Sequence, residues 1–278
     1  MVSGEPGPVL RAAVLGSPVA HSLSPVLHSA AYAALGLSEW SYGLREVTEA
    51  ELGSVVAGLD ETWRGLSLTM PLKEVAFEVA TTVSDVARDA GAVNTLVRRG
   101  DGGWDAHNTD VTGIVRAVEH VGHGGSAVVL GSGATARSAA LAVVELGVRD
   151  VVVAARNAQA AAEVVDLLAR HDVRARHVPL GTWADARPAL VVSALAPAAS
   201  EVVAESAQCA DLSGTTLLDV VYADWPTPLA RAVTTAGGAV VSGLDMLVHQ
   251  AAEQFRLFTG HEPPVEVMLA AAREQVGS

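Results

Sequence analysis

The chain has 278 residues, of which 50% are hydrophobic and 18% are charged, and its formal net charge is −13. Single cores seldom grow far beyond about 250 residues, so we expect two domains. The hydrophobic fraction excludes extended disorder. The negative charge disfavours nucleic acid as a partner, because a phosphate backbone attracts clustered Lys and Arg.

Two features of the sequence concern location. Cys209 is the only cysteine, so it cannot form an intramolecular disulfide, and we expect a small buried side chain in a reducing compartment. The uncharged window over residues 12–38 is interrupted by prolines and histidines, which argues against a membrane span. The first eleven residues are too polar for a signal peptide. We therefore expect a cytoplasmic protein without a membrane partner.

The first part of the chain alternates short apolar runs with helical segments. AAVLG, WSYGLREV and GLSLT are predicted strands, and SPVLHSAAYAALG and TEAELGSVVAGL are predicted helices, a pattern typical of βαβ units. Ser24 is the expected N-cap of the first helix, Pro25 fits its first turn and Gly36 fits its end. Farther on, AVNTLVRR and GWDAHNT flank a Gly-Asp-Gly turn, which predicts an antiparallel pair.

A second alternation begins near Ser126. Five strand-like runs, AVVLG, DVVVAAR, ALVVSAL, TLLDVV and GAVVSG, predict a doubly wound sheet. The helical segment LDMLVHQAAEQFRLFTG follows this finished sheet, so we expect it to return to the first domain. The prediction is an α/β protein with a mainly parallel sheet in its first domain. Residues 1–109 with 243–278 would form the substrate domain, and residues 110–242 a Rossmann domain.

A glycine-rich loop, GSGATA, begins at Gly131 directly after a predicted strand and opens a helix, which is the context that a dinucleotide-binding loop requires. Gly131 permits the tight turn, Gly133 lets the backbone approach a pyrophosphate, and Ala136 allows close packing of helix on strand. An ordinary strand-to-helix turn can also carry two glycines, so that alternative stays open.

The next strand indicates which dinucleotide binds. DVVVAAR ends at Arg156, where a NAD-binding protein would usually place an acidic residue for the ribose 2′-hydroxyl. A guanidinium can instead pair with a 2′-phosphate and stack on a base. The expected cofactor is therefore NADP, with a solvated charge at the strand end as the alternative for Arg156.

Small polar residues follow the predicted strands of the first domain, in SLSP, SLTMPLK, AVNT and HNTD. Because neighbouring strand ends converge on one crevice, these hydroxyls and carboxamides predict a small polyol or sugar-like acid as ligand. Lys73 and Asp110 could move a proton to or from an alcohol or ketone oxygen, as hydride transfer requires. Alternatively, Ser24 and Asp110 are only helix caps. No His, Cys or carboxylate cluster has metal-ligand spacing.

Motifs along nearly the whole chain resemble those of the shikimate dehydrogenase family. In order they are SPVAHSLSP, SLTMPLK, GAVNTL, NTDVTG, GSGATA, LLDVVYADWPTPL and SGLDMLVHQAAEQFRLFTG. The resemblance implies reversible, NADPH-dependent reduction of 3-dehydroshikimate to shikimate, in the pathway to aromatic amino acids. It also implies a substrate domain, a Rossmann domain and a C-terminal helix that returns to the first domain.

The same resemblance implies roles for individual residues and a monomer or homodimer that binds a small-molecule substrate. Lys73 and Asp110 would be the catalytic pair. The substrate shell would comprise Ser22, Ser24, Ser67, Thr69, Asn94, Tyr222 and Gln250, with the first two serines at the substrate carboxylate and Tyr222 nearby. The cofactor shell would comprise Gly131, Ser132, Gly133, Ala134, Thr135, Ala136, Arg156, Asn157 and Gly243.

The sequence departs from the family pattern at several positions. Ser67 stands where the family usually has Asn, which leaves the specificity for ring substituents open. Gln159 and Ala160 stand where a second basic residue is typical, which predicts weaker NADP affinity, and the loop SALAP replaces Asn-Ala-Thr-Pro. One alternative is an enzyme acting on quinate or an aminated shikimate. Another is a non-catalytic NADP-binding sensor, against which the presence of Lys73 and Asp110 argues.

Overall fold

The computed structural model describes residues 9–121, 125–208 and 210–277. Its packing divides the chain into two compact units, one comprising the residues up to Thr109 and those from Gln250 onward, the other Asp110–His249. The predictions about Cys209 and about the first eight residues lie outside the described residues. The expected α/β fold with two mainly parallel sheets is confirmed.

The first unit is built on a mixed six-stranded sheet. Its strands are β1 (Leu10–Gly16), β2 (Trp40–Glu46), β3 (Trp63–Leu68), β4 (Thr82–Val83), β5 (Thr95–Arg98) and β6 (Trp104–His107). Their spatial order is β2-β1-β3-β5-β6-β4. β1 is parallel to β2 and β3, whereas β5 is antiparallel to β3 and β6. The antiparallel pair predicted around the Gly-Asp-Gly turn is therefore confirmed.

The second unit is built on a parallel six-stranded sheet. Its strands are β7 (Ser126–Leu130), β8 (Asp150–Ala154), β9 (Arg174–Val178), β10 (Leu190–Ser193), β11 (Thr216–Asp219) and β12 (Ala239–Ser242). Their order is β12-β11-β10-β7-β8-β9, so the direction of winding reverses between β10 and β7. Dinucleotides bind beside such a reversal. The five predicted strands are present, and β9 was missed.

The helices connect these strands. They are α1 (Ser24–Leu35), α2 (Glu49–Ala57), α3 (Asp85–Ala90), α4 (Asp110–Val118), α5 (Ala134–Glu145), α6 (Ala158–Arg170), α7 (Ser200–Gln208), α8 (Pro228–Thr235), α9 (Gly243–Thr259) and α10 (Val265–Val276). α9 begins in the second unit and ends in the first, where α10 packs on α1. No helix within the described ranges is long and apolar enough to cross a membrane.

The start of α1 corrects one prediction. Ser24 is the first helical residue rather than the N-cap, which is Leu23, and no side chain caps this helix. The hydroxyl of Ser24 instead accepts a hydrogen bond from Ser22 at 3.2 Å. The other two expectations hold, because Pro25 lies in the first turn and Gly36, with φ 67°, ends the helix.

Each unit has its own apolar core. In the first unit Leu66, Leu96 and Trp104 pack together between the sheet and its helices. In the second, Val128 and Trp183 belong to a separate buried cluster. Rigid strands that end at the edge of a packed sheet hold the loops in which polar side chains collect.

Candidate active site

Polar residues of the first unit collect at one edge of its sheet. Since β5 is antiparallel to both β3 and β6, the carboxyl ends of β1, β3 and β6 share this edge with the start of β5. Register places Ser67 opposite Thr95, and Thr95 opposite His107. The segments that leave or enter these strand ends carry Ser22, Ser24, Thr69, Lys73, Asn94 and Thr109.

Main-chain hydrogen bonds fix the segment that carries Lys73. The amide of Val93 donates to the carbonyl of Lys73 at 2.8 Å, and the amide of Thr69 donates to the carbonyl of Leu15 at 2.9 Å. Lys73 is half-buried. Its backbone is thereby held against the residue that precedes Asn94.

Ser67 is buried, and its hydroxyl has two side-chain partners. The hydroxyl of Tyr42 donates to Ser67 Oγ at 2.6 Å, and Ser67 Oγ donates to Gln254 Oε1 at 2.7 Å. Gln254 Nε2 donates to Thr95 Oγ1 at 3.0 Å and to the main-chain oxygen of Asn94 at 3.2 Å. Ser67 is thus joined to Asn94 through a glutamine of α9.

Asn94 is buried, and both ends of its carboxamide are hydrogen-bonded. Oδ1 accepts from the main-chain amide of Thr109 and from Thr95 Oγ1, both at 2.8 Å. Nδ2 donates to Thr109 Oγ1 at 2.9 Å and to Gln250 Oε1 at 3.4 Å. The structure therefore brings together three predicted substrate residues: Ser67, Asn94 and Gln250.

Ser22 and Ser24 lie side by side at the start of α1. Ser22 Oγ donates to Ser24 Oγ at 3.2 Å and accepts from the amide of Ser24 at 3.3 Å. Burial raises the pKa of Tyr42, and hydrogen bonding to Ser67 and Ser24 opposes that rise. The neutral phenol consequently links this pair of serines to Ser67.

The glycine-rich loop of the second unit joins β7 to α5, as predicted. Gly131 has φ +112°, and a Cβ there would lie 3.1 Å from the carbonyl oxygen of Ala194. Gly133 is the N-cap of α5 with no side-chain cap, and a Cβ on it would meet nothing within 4 Å. Ala136 is fully buried. Unfilled space at the uncapped amides of a helix start fits a phosphate group.

The other residues predicted to contact the cofactor differ in their local roles. Arg156 is exposed, two residues after the end of β8. Asn157 caps α6, because its Oδ1 accepts from the amides of Gln159 and Ala160 at 3.0 and 3.1 Å. In the loop itself, Gly133 is exposed, and Ser132, Ala134 and Thr135 are partly exposed.

Gly243 begins α9 where the chain passes close to another segment. A Cβ at this position would lie 2.2 Å from the carbonyl oxygen of Val220. Real Cβ contacts essentially never come this close. Packing alone therefore accounts for this glycine, and its contact with a cofactor stays a prediction.

Asp110 and Tyr222 belong to the second unit, whereas Lys73 belongs to the first. Asp110 is buried as the first residue of α4, directly after Thr109. Tyr222 is half-buried, and burial raises its pKa. The pairing of Lys73 with Asp110 stays a prediction.

Sequence reasoning missed Tyr42 and Gln254. Gln254 lies four residues after Gln250 on α9, so helical spacing could have placed both on one face. Tyr42 gives no comparable signal, because it reaches Ser67 only through strand pairing. Within the described residues, no group of three or more His, Cys, Asp or Glu could hold a metal ion.

Comparisons with known proteins agree along the chain. Residues 14–96 match the family model for the shikimate dehydrogenase substrate binding domain, and residues 243–273 match that for the shikimate 5′-dehydrogenase C-terminal domain. The shikimate dehydrogenase (NADP(+)) of a Synechococcus species is 35% identical, covering 95% of this chain and 94% of the relative.

Solved structures give the same result. The shikimate dehydrogenase of Mycobacterium tuberculosis superimposes with a TM-score of 0.88 at 44% identity, over 95% of this chain and 99% of that one. The shikimate 5-dehydrogenase of Thermus thermophilus, in complex with NADP(H) and shikimate, gives 0.82 at 36% identity, over 95% and 99%. The chain belongs to the shikimate dehydrogenase family.

Proposed function

We propose that this chain reversibly reduces 3-dehydroshikimate to shikimate with NADPH, and that Lys73 and Asp110 are its proton-transfer pair. The proton-transfer role of Lys73 is supported by the amino-acid composition of the chain. Of the 18 Lys and Arg residues, Lys73 is the only lysine, and it lies at the polar sheet edge. Arginine cannot give up its proton in a protein, whereas lysine can.

The cofactor-binding part of the proposal rests on the loop at the start of α5. When bound, NADPH supplies the hydride. The amides that follow Gly131 and Gly133 bind the pyrophosphate, and the exposed guanidinium of Arg156 binds the 2′-phosphate. Asn157 contributes by capping α6 and so fixing the turn that presents Arg156.

In the proposed mechanism the residues of the sheet edge orient the substrate. Lys73 donates a proton to the ketone oxygen as the alcohol forms, and accepts it in the reverse direction. Asp110 accepts a hydrogen bond from a ring hydroxyl or the lysine ammonium. Ring hydroxyls and the carboxylate are held by Ser22, Ser24, Ser67, Thr69, Asn94, Tyr222 and Gln250.

The activity is tested by mixing the purified protein with shikimate and NADP⁺ at alkaline pH and following reduced nicotinamide. We expect a signal with shikimate that exceeds the signal with quinate. Turnover of quinate but not of shikimate would overturn the substrate assignment.

We further propose a cytoplasmic location, supported by the single cysteine.

The roles of the pair are tested by Lys73→Ala, Lys73→Arg and Asp110→Asn. Each should lower kcat by about a hundredfold or more and change the KM for shikimate less, since proton transfer matters mainly in the transition state. Lys73→Arg keeps the charge but cannot donate, so it separates proton transfer from electrostatics. A Lys73→Arg enzyme with near-normal kcat would refute the assignment, and normal turnover by Asp110→Asn would reduce Asp110 to a helix terminus.

A further inference from the structure

A continuous chain of hydrogen bonds runs from Tyr42 through Ser67, Gln254 and Thr95 to Asn94. Its members come from β2, β3, α9 and the start of β5. Each link is between 2.6 and 3.0 Å long. Such a chain has a direction, because each hydroxyl carries a single hydrogen.

One main-chain carbonyl fixes that direction at the glutamine. The carbonyl of Asn94 can only accept, so the Gln254 atom 3.2 Å from it must be Nε2. Gln254 Oε1 then faces Ser67, and because this oxygen can only accept, Ser67 must donate its only hydrogen. Tyr42 must in turn donate to Ser67.

A second main-chain group fixes the same direction from the other end. The amide of Thr109 can only donate, so the Asn94 atom that it contacts is Oδ1. Thr95 donates its hydrogen to this Oδ1 and can therefore only accept from Gln254. The carbonyl of Asn94 and the amide of Thr109 thus independently require the same orientation of the Gln254 carboxamide.

We infer that Gln254 is a positioning residue that holds the Ser67 hydroxyl as a hydrogen-bond acceptor toward the substrate. The hydrogen of Ser67 is committed to Gln254, one lone pair accepts from Tyr42, and the second lone pair is available to a ligand. The ring substituent beside Ser67 must then be a donor, such as a hydroxyl. This inference rests on the proposed function, which puts Ser67 in the substrate shell.

The inference is tested with dissociation constants for shikimate and for analogues in which each ring hydroxyl in turn is replaced by fluorine, which cannot donate. The wild type should bind one analogue about tenfold more weakly than shikimate, the effect of one lost hydrogen bond. In Gln254→Met the hydrogen of Ser67 is released, and this penalty should fall below about threefold. Tyr42→Phe leaves that hydrogen on Gln254, so the penalty should persist.

Two further variants separate positioning from general destabilisation. In a Ser67→Ala background, adding Gln254→Met should leave the fluorine penalty unchanged, because Gln254 acts through Ser67. Gln275→Met, an exposed position on α10, is the matched control and should behave as the wild type. The inference would be overturned if Gln254→Met kept the full fluorine penalty. It would also be overturned if adding Gln254→Met to Ser67→Ala changed that penalty.

Neutron diffraction from the deuterated protein tests the same point without substrate. A deuterium between Ser67 Oγ and Gln254 Oε1 supports the inference, and a deuterium of Ser67 directed elsewhere overturns it. This test uses the wild type, so it does not depend on the folding of any variant. A wild type that binds no shikimate would instead refute the proposed function, and the neutron density would still decide the direction of the Ser67 hydroxyl.

Discussion

His28 is fully buried within the aromatic cluster of the first unit. Its ring stacks on Tyr42 with 4.0 Å between centroids, and Tyr32, Phe255 and Phe258 surround it. Neither ring nitrogen has a hydrogen-bond partner among the residues described. Burial lowers the pKa of His28 to about 3, an effect that the nearby Gln254 only partly offsets. The ring is therefore neutral at physiological pH.

The low pKa of His28 predicts a loss of stability in acid. A histidine of the unfolded chain titrates near 6.5 and the folded ring near 3, so between these values the unfolded state binds more protons. The free energy of unfolding is unaffected by His28 above the upper value. It falls below that value, by up to about 1.4 kcal/mol per pH unit. Denaturant unfolding between about pH 7 and about pH 4 measures this loss.

The matched control for this prediction is His28→Phe, which keeps an aromatic ring beside Tyr42 and cannot be protonated. Carboxylates contribute to the pH dependence of both proteins, so the difference between the two profiles isolates His28. The wild type should lose more stability than the variant as the pH falls. Parallel profiles would show that the ring is hydrated or paired in solution.

At the scale of elements, the turn from β8 into α6 places Arg156 and Asn157 next to each other with separable roles. The side chain of Asn157 is committed to the helix, where it accepts two amide hydrogen bonds. Arg156 is exposed and makes no salt bridge within the described part of the chain. One residue therefore fixes the turn, and its neighbour remains available to a phosphate.

This separation predicts different main effects for two adjacent substitutions. Arg156→Gln should raise the KM for NADP⁺ by about tenfold or more and leave the KM for NAD⁺ unchanged, because only NADP⁺ carries the 2′-phosphate. Asn157→Ala should lower the free energy of unfolding by about 1 kcal/mol and should raise the KM for NADP⁺ less than Arg156→Gln does, because it loosens the turn but keeps the guanidinium. Kinetics with both cofactors and urea unfolding measure these effects.

The control for these substitutions is Arg170→Gln, which removes an exposed guanidinium at the other end of α6. It should leave both cofactor constants unchanged. If Arg156→Gln and Arg170→Gln weakened NADP⁺ binding equally, the effect would be one of net charge. Arg156 would then be a solvated strand-end residue.

The same elements show how far local patterns predict structure. The five predicted strands of the second sheet are apolar runs, whereas β9 reads RARHV and has no fully buried residue, so hydrophobic periodicity could not reveal it. The loop at Gly131 was predictable because strand, glycines and helix are contiguous. Ser67 and Gln254 are 187 positions apart, and no local pattern encodes their contact.

At the scale of the whole molecule, the use of cations is the most informative feature of the composition. The described salt bridges use arginine. The guanidinium groups of Arg99, Arg116 and Arg174, for example, lie 2.8 to 3.1 Å from carboxylate oxygens. The single lysine, Lys73, lies between β3 and β4. Every other residue among the 18 Lys and Arg is an arginine, and the proposed function gives the one lysine the role of proton donor.

This composition permits a chemical test that most proteins do not. An amine-selective acylating reagent can modify only Lys73 and the N-terminal amine, and acylation removes the positive charge and the exchangeable ammonium. Activity should fall in proportion to the fraction of Lys73 modified, as measured by peptide mass spectrometry. Excess shikimate should slow both the modification of Lys73 and the loss of activity. Near neutral pH the less basic N-terminal amine reacts first, and this first modification should leave turnover intact. An enzyme fully acylated at Lys73 that still oxidises shikimate would show that the proton passes through another group.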